Sequence, residues 1–489
     1  MSIGLPDLAV IAVYMIGVVL FGLWIGRGQR GAADYMLGGR DLPWWALLLS
    51  IVATETSTVT FLSIPGFAFT GDFTWMQLAA GMLIGKLLVV AFLLPHYFAG
   101  ECFTAYDVLH RRFGGATAQA ASMLFMVTRS LADGLRLFLT ALVLREMSGL
   151  PLTWAIVVVG VATVIYTFFG GMKAVVWTDT IQFTVYMLGA GVALALLVSR
   201  LPGGWEQLFT IAAAEGKLRA IDLGFSLSEP YVLWAGLIGG AFLSIGTHGA
   251  DQLLVQRYLS ARSERDAARA LVTSGVVVVA QFAFFLLIGV ALFVFYQVYP
   301  PDIPFVRADR VFARFIIDEL PTGVLGLVLG AVFAAAMSTL SSSLNSSATA
   351  AANDFYKPLA GEAATPGRLL RVTRALTVVF AVIQVSVALS GRFMSNTVVE
   401  SVLTIAGFTT GITLGVFLLG LFAPRTSQRA ALAAFVLGLL TMTIVVFATS
   451  LAWPWYTMTG TGLTFAFGLV SSRVWPASDD GSKSPASEL

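Results

Sequence analysis

Thirteen apolar runs, each nineteen residues or longer, follow one another along this chain with only short charged segments between them. They fall at about 7–27, 43–70, 74–98, 118–146, 152–170, 175–199, 231–259, 266–297, 322–354, 368–391, 395–423, 427–449 and 453–472. The hydrocarbon core of a bilayer is crossed by about 20 mainly apolar helical residues. Inside it every backbone N–H and C=O must be bonded within the protein, which leaves helices or closed barrels. Runs of this length predict an all-α, polytopic membrane protein with about 13 transmembrane helices. Composition agrees: 57% of the 489 residues are hydrophobic and only 11% are charged, where soluble domains carry about a quarter.

The basic residues orient the bundle. Eighteen lysines and arginines, Arg257 among them, fall in loops on one side and eight on the other. Cytoplasmic loops carry the excess, so the N-terminus is expected outside and the C-terminus inside a multi-pass cell-membrane protein. The first run follows a segment with no basic residue and meets Arg27 and Arg30 with no small-residue cleavage site, so it reads as a retained span. One transmembrane domain over 1–474 is expected, followed by a polar, disordered cytoplasmic tail over 475–489. A formal charge of +2 implies no nucleic-acid partner. The single Cys102 can form no internal disulfide and has no metal-ligand neighbours; its expected role is packing.

Polar chemistry inside the apolar runs stands out against this background. Ser338, Ser341, Ser342, Asn345 and Ser346 recur at i, i+3, i+4, i+7 and i+8, a polar stripe on one helical face with no charge until Asp354. Such hydroxyls either ease helix packing or replace the water shell of a passing ion. Lys86, Arg129, Arg136, Glu55, Asp133 and Asp179 lie within runs, and Asp251 lies near a run end. Ionisable groups at that depth are costly and are functional candidates. Arg129, Asp133 and Arg136 are spaced for one self-neutralising intrahelical network; alternatively one arginine is left to hold an anionic solute group.

Two runs carry breaks. From Thr54 to Thr60 nearly every residue is polar or β-branched, and Pro65-Gly66 follows. Unwound backbone is tolerated in a membrane only where it lines a cavity, and its freed carbonyls are hard ligands for a small cation. The run from Gly239 to Gln252 has a matching interruption. Interrupted segments in corresponding places of two halves point to inverted repeats, here about 43–199 and 231–423, with a site near the midplane. His248, in the second break, reads as a hydrogen-bonding residue or a proton carrier.

Four stretches make a resemblance specific. They are Ser50-Ile-Val-Ala-Thr-Glu-Thr-Ser57, Gly170-Gly-Met-Lys-Ala-Val-Val-Trp-Thr-Asp-Thr-Ile-Gln182, Gln256-Arg-Tyr-Leu-Ser-Ala261, and the serine-rich helix ending Asn353-Asp-Phe-Tyr356. On them the chain resembles the sodium/solute symporter family of sodium-coupled sugar, proline, sialic acid and monocarboxylate carriers. The resemblance implies a leucine-transporter-type core of two inverted five-helix repeats, with one span before it and two after. It implies Na⁺ held by the carbonyls of Ala53, Thr56 and Ala335 and the hydroxyls of Ser338 and Thr339. Some relatives add a second sodium site, for which Asp179, Ser338, Ser341 and Ser342 are the pieces; Asp179 could instead cap its helix or pair with Lys173. Glu55 beside the first ion resembles relatives that carry an acid there.

The resemblance places the solute beside the breaks, where Glu55, Ser57, Thr60, Gln77, Arg129, Ser244, Thr247 and His248 are candidates. Sugar carriers of the family place a lysine on the eighth span; here Val278 stands at that point and residues 271–295 carry no charge. That counts against a close match to the sugar carriers, while the short hydroxyl-rich site and the basic residues of the fourth run favour a small carboxylate-bearing solute, with a sugar or an amino acid as alternatives. Alternating access would move both cargoes inward, sodium strapping the second span to the ninth. A membrane enzyme would need a nucleophile and base or clustered ligands, and His96, His110 and His248 lie in separate elements. A non-transporting solute sensor would usually need an output domain, and no loop is long enough for one.

Overall fold

The computed structural model of the protein describes residues 4–29, 31–301, 305, 307–391 and 398–477. Residues 478–489, most of the tail expected to be disordered, lie outside the described residues. Nearly all the rest is helix, as a lipid environment demands. In chain order we label α1 Leu5–Ile25, α2 Trp44–Glu55, α3 Thr58–Thr70, α4 Trp75–Phe92, α5 Gly115–Ser148, α6 Leu152–Ser199 and α7 Gly240–Gly249. There follow α8 Gln252–Leu259, α9 Glu264–Val298, α10 Val324–Ala350, α11 Pro366–Ser390, α12 Val398–Phe422, α13 Gln428–Ala448 and α14 Pro454–Val474.

Helices occupy all thirteen predicted stretches, but the count is lower when each helix is judged alone. Among the described residues seven are long and apolar enough to cross a bilayer, or eight if α2 and α3, bent by 59°, are one span. Both broken runs contribute to the difference, because α7 and α8 are each short. The stretch on α5 loses apolar character to Arg129, Asp133 and Arg136.

The two runs at 152–170 and 175–199 are joined without a loop. Gly171 makes the corner inside α6 with φ 53° and ψ −157°, backbone that L side chains rarely adopt. A Cβ there would also sit 2.5 Å from the Tyr35 carbonyl oxygen. The Gly-Gly of the second quoted stretch is thus a hinge between two helices.

Small residues allow close approach between helices of the two halves of the chain. Gly81 and Gly85 on α4 face the turn Ala235–Gly239 and α7 so tightly that a Cβ on Gly81 would lie 2.3 Å from the Gly236 oxygen. A Cβ on Gly240 would lie 2.6 Å from the Leu78 oxygen. In lipid, helices associate through such backbone proximity because apolar side chains gain nothing by leaving the tails. At the other end of the fold Asp7 anchors α1 on α10: its Oδ1 accepts from the amides of Gly323 (2.6 Å) and Gly326 (2.8 Å). A carboxylate at a helix N-terminus satisfies free N–H groups and complements the dipole.

Helix α10 runs through the middle of the bundle, buried on every side from Val328 to Ala350. Its hydroxyl stripe therefore never meets lipid. All of Ser338, Ser341, Ser342, Asn345 and Ser346 are buried.

Candidate functional site

The first break is where the sequence placed it. Helix α2 ends on the bond from the Thr56 amide to the Val52 carbonyl (3.0 Å). Thr56 (φ −97°, ψ 86°) and Ser57 (φ −83°, ψ 170°) then leave helical geometry before α3 begins. Carbonyls just upstream lose their helical partners and turn to α10. Ser338 Oγ lies 3.0 Å from the Ala53 oxygen and 3.1 Å from the Ala335 oxygen. Thr339 Oγ1 lies 3.4 Å from the oxygens of Thr54 and Ala335. Four of the five expected sodium ligands therefore converge, all buried, all hard oxygens. Thr56 stands in the break itself; Gln281 Nε2 on α9 donates to its hydroxyl (2.8 Å), and that hydroxyl donates to the Val52 oxygen (2.8 Å).

The second expected set is held differently. Asp179 Oδ2 accepts from Ser50 Oγ (2.5 Å) on α2 and from Arg257 Nη2 (3.1 Å) on α8. The same guanidinium donates to Ser342 Oγ, Thr54 Oγ1 (2.5 Å) and the Leu253 oxygen (2.5 Å), and its Nε donates to Ser50 Oγ (2.9 Å). Ser341 Oγ donates to the Ser338 carbonyl (3.2 Å). Two expectations need correcting. Arg257 is no loop residue contributing to orientation; it is buried in the protein. Nor is Lys173 the partner of Asp179, whose carboxylate pairs with Arg257 while the same guanidinium also donates to Ser342. A buried carboxylate must be neutralised by some cation, and here the chain supplies its own.

A third cluster joins both breaks. Glu55, the last residue of α2, places Oε1 at 2.6 Å from Lys86 Nζ on α4 and 3.0 Å from His248 Nε2 on α7. Lys86 Nζ also donates to Ser274 Oγ (3.1 Å), and His248 Nδ1 lies 2.5 Å from the Tyr258 hydroxyl. Glu55 Oε2 and Ser244 Oγ are buried without a hydrogen bond from the protein. His248 is thus a member of a hydrogen-bonded charge cluster.

The remaining solute candidates separate. Arg129 is not left over from an intrahelical network: its Nη2 pairs with Asp251 Oδ2 (2.7 Å), while Asp133 pairs with Arg136 (2.5 Å). Asp251 also caps α8 by accepting from the Leu253 amide (2.9 Å). Beside this pair a cavity of about 20 Å³ is bounded by Asp251, Thr128, Thr409, Thr410 and Thr413; that is room for about one water. Gln77 is committed to the backbone, donating to Thr74 and Tyr231 oxygens and accepting from the Asp222 amide. Thr247 donates to the Leu243 oxygen (3.0 Å) of its own helix and Thr60 to the Glu55 oxygen (3.5 Å). Ser57 is buried at the start of α3.

Arg257, Ser50, Thr54, Ser274, Tyr258 and Gln281 complete these clusters and were not picked as site residues from the sequence; Lys86 was a functional candidate by depth alone, with no site assigned. The depth of Lys86 was a signal, because a buried ammonium needs a partner. Arg257 stands at the end of the 231–259 run and counts with the loop charges, which hides its depth.

Comparison with known proteins follows the same line. The model of the sodium:solute symporter family matches residues 35–438. The chain is 29% identical over 488 residues to the sodium/sialic acid symporter SiaT of Proteus mirabilis, covering 96% of each protein. It is 29% identical over 458 residues to the human sodium/iodide cotransporter, covering 90% of this chain and 69% of that one. Among solved structures, the substrate-bound outward-open state of a Na⁺-coupled sialic acid symporter superposes with a TM-score of 0.90 at 29% identity, over 97% of this chain and 99% of that one. A nucleobase-cation-symport-1 family transporter in a closed conformation shares the fold at a TM-score of 0.59 and 16% identity, over 92% of this chain and 95% of that one.

Proposed function

Because the chain belongs to the sodium:solute symporter family, we propose that it is a carrier of a small carboxylate-bearing solute, driven by sodium bound between α2 and α10. Sodium-coupled symport of a small solute is the activity of the family, and the relatives are carriers, not enzymes. The carboxylate rests on one observation: the ammonium of Lys86, fully buried where the two breaks meet and held by Glu55 and Ser274. A solute carboxylate entering there can take a hydrogen bond from Lys86 while Glu55 keeps His248, and the charge of the sodium bound at the end of α2 offsets the added carboxylate. Relatives named for sialic acid, iodide and monocarboxylates support an anionic cargo.

The mechanism follows from the geometry. Sodium takes the carbonyls of Ala53, Thr56 and Ala335 and the hydroxyls of Ser338 and Thr339, replacing its water with fixed oxygens. That straps the end of α2 to α10 and brings a positive charge near Glu55, two residues beyond Ala53, which leaves Lys86 free to turn to the solute. Sodium binding thereby stabilises the arrangement that receives solute, which is the coupling. The excess of basic residues in one set of loops supports an N-terminus outside and a C-terminus in the cytoplasm. Membrane potential adds about 2.3 kcal/mol per inward charge per 100 mV. A second sodium at Asp179, Ser338, Ser341 and Ser342 requires Arg257 to move away first.

The test is a thermal-shift screen of organic acids, amino acids and sugars with and without Na⁺, followed by uptake of the best compound into proteoliposomes. A carboxylate that stabilises the protein only with sodium is expected. A sugar that does so while carboxylates do not would remove the carboxylate reading and leave sodium symport standing.

A further inference from the structure

The polar stripe of α10 does not stop at the sodium ligands. Ser338, Ser342, Asn345, Thr349 and Asn353 continue it at i, i+4, i+7, i+11 and i+15, all buried. Gln256 Nε2 spans two rungs, donating to Asn345 Oδ1 (2.9 Å) and Thr349 Oγ1 (3.1 Å). The stripe ends at Asp354, sixteen residues or about 24 Å of helix beyond Ser338.

Asp354 is an incompletely bonded carboxylate. Its Oδ1 accepts from Thr104 Oγ1 (2.8 Å) and Asn353 Nδ2 (2.9 Å). Its Oδ2 is buried and receives no hydrogen bond from the protein, and the whole residue is 7% exposed. Ser122 Oγ on α5, fully buried, lies beside it but outside good hydrogen-bonding geometry. Asn353 Nδ2 links this carboxylate to a second one, Asp107 Oδ1 (3.1 Å). Both acids open on a cavity of about 490 Å³ that His110, Gln119 and Lys357 also line.

The surrounding basic groups do not neutralise it. Arg111 donates to the His96 oxygen and Cys102 Sγ, and Arg112 donates to the oxygens of Ala423 and Pro424. Lys357 Nζ sits over the Phe103 ring at 5.1 Å. Two carboxylates against one lysine leave the cavity acidic. Among the described residues no group of three or more His, Cys, Asp or Glu could hold a metal ion, so the donor set suits a monovalent cation better than a divalent one.

We propose that Asp354 Oδ2 and Ser122 Oγ form a release station for sodium at the end of α10, which the ion visits after leaving the ligands around Ser338 and before entering the 490 Å³ cavity. An acidic station there lowers the free energy of a partly dehydrated cation on its way out and gives release-side sodium a place to rebind. The proposal rests on sodium symport and on the orientation given above, but not on which solute is carried.

Membrane vesicles of one orientation test it, with sodium varied separately on each face. Sodium on the release face inhibits solute uptake. Asp354→Asn is expected to raise the release-side concentration that halves uptake by about fivefold or more, the loss of a charged ligand. Asp354→Glu should stay near the wild type, and half-saturating sodium on the entry face should move less than about twofold in either variant. If Asp354→Asn does not accumulate, Ser122→Ala is expected to shift release-side inhibition in the same direction by about twofold to threefold. Unchanged release-side inhibition in the variants that fold, or an equal shift on both faces, overturns the station. Wild-type uptake that needs no sodium would overturn the symport premise instead, before any variant is made.

Discussion

Arg257 Nη2 lies 3.1 Å from Asp179 Oδ2, and this buried pair ties α8, just past the second break, to α6. Through Ser50, Thr54 and Ser342 the same guanidinium reaches α2 and α10. Four helices thus meet on one positive charge next to the proposed sodium ligands.

Removing one partner of a buried pair strands the other, at a cost of about 3–5 kcal/mol. Arg257→Gln is therefore expected to lower the melting temperature in detergent by several degrees. Adding Asp179→Asn should recover more than half of the loss. A double variant no more stable than Arg257→Gln would show that the pair is not the cause. If Asp179 also holds a second sodium, Asp179→Asn alone should lower the sodium:solute ratio read from reversal potentials.

Ser338 supplies a hydroxyl to the Ala53 and Ala335 carbonyls. A hydrogen bond or ligand to a charged group contributes about 1.5–3 kcal/mol. Ser338→Ala and Thr339→Ala should each raise the sodium concentration for half-maximal uptake by about tenfold or more. Unaltered sodium dependence in both would sink the assignment.

Lys86 and Glu55 are a pair that the cargo is proposed to open. Lys86→Met should reduce uptake of a carboxylate solute by at least about tenfold, while the sodium-induced thermal shift persists because that shift comes from Ser338 and its neighbours. Loss of both together would mean that Lys86 supports the sodium site instead.

Asp72, in the connection between α3 and α4, gives the acid limb of stability. Burial pushes its carboxyl up, but the Thr74 hydroxyl and amide and the Arg219 guanidinium outweigh that and hold it below the usual aspartate range. A depressed carboxyl contributes stability that is complete above its unfolded value, about 3.9, and is lost as pH falls through the folded value. Asp72→Asn should lower the melting temperature in the neutral range, where the carboxylate's contribution is complete, and flatten its pH dependence below about pH 4. An acid limb identical to that of the wild type would assign it to other carboxylates.

Apolar run length alone determined that the chain is a helical membrane protein, because lipid leaves backbone polar groups few other solutions. Local residue chemistry marked the breaks at Thr54–Thr60 and Gly239–Gln252, since β-branched, hydroxyl and glycine residues weaken a helix wherever they stand. The convergence of Ala53, Ala335, Ser338 and Thr339 could be expected from the sequence only through the family resemblance.

Pairing of charges was decided by tertiary structure. Spacing along α5 puts Asp133 within reach of both Arg129 and Arg136, yet Arg129 turns to Asp251 on another helix. Arg257 reads as a loop residue until α8 folds it against Asp179. The physical reason is common to both. Periodicity reports which face of a helix is polar, whereas a buried charge takes the partner that the packing of other helices brings within about 3 Å, and no spacing within one segment encodes that distance.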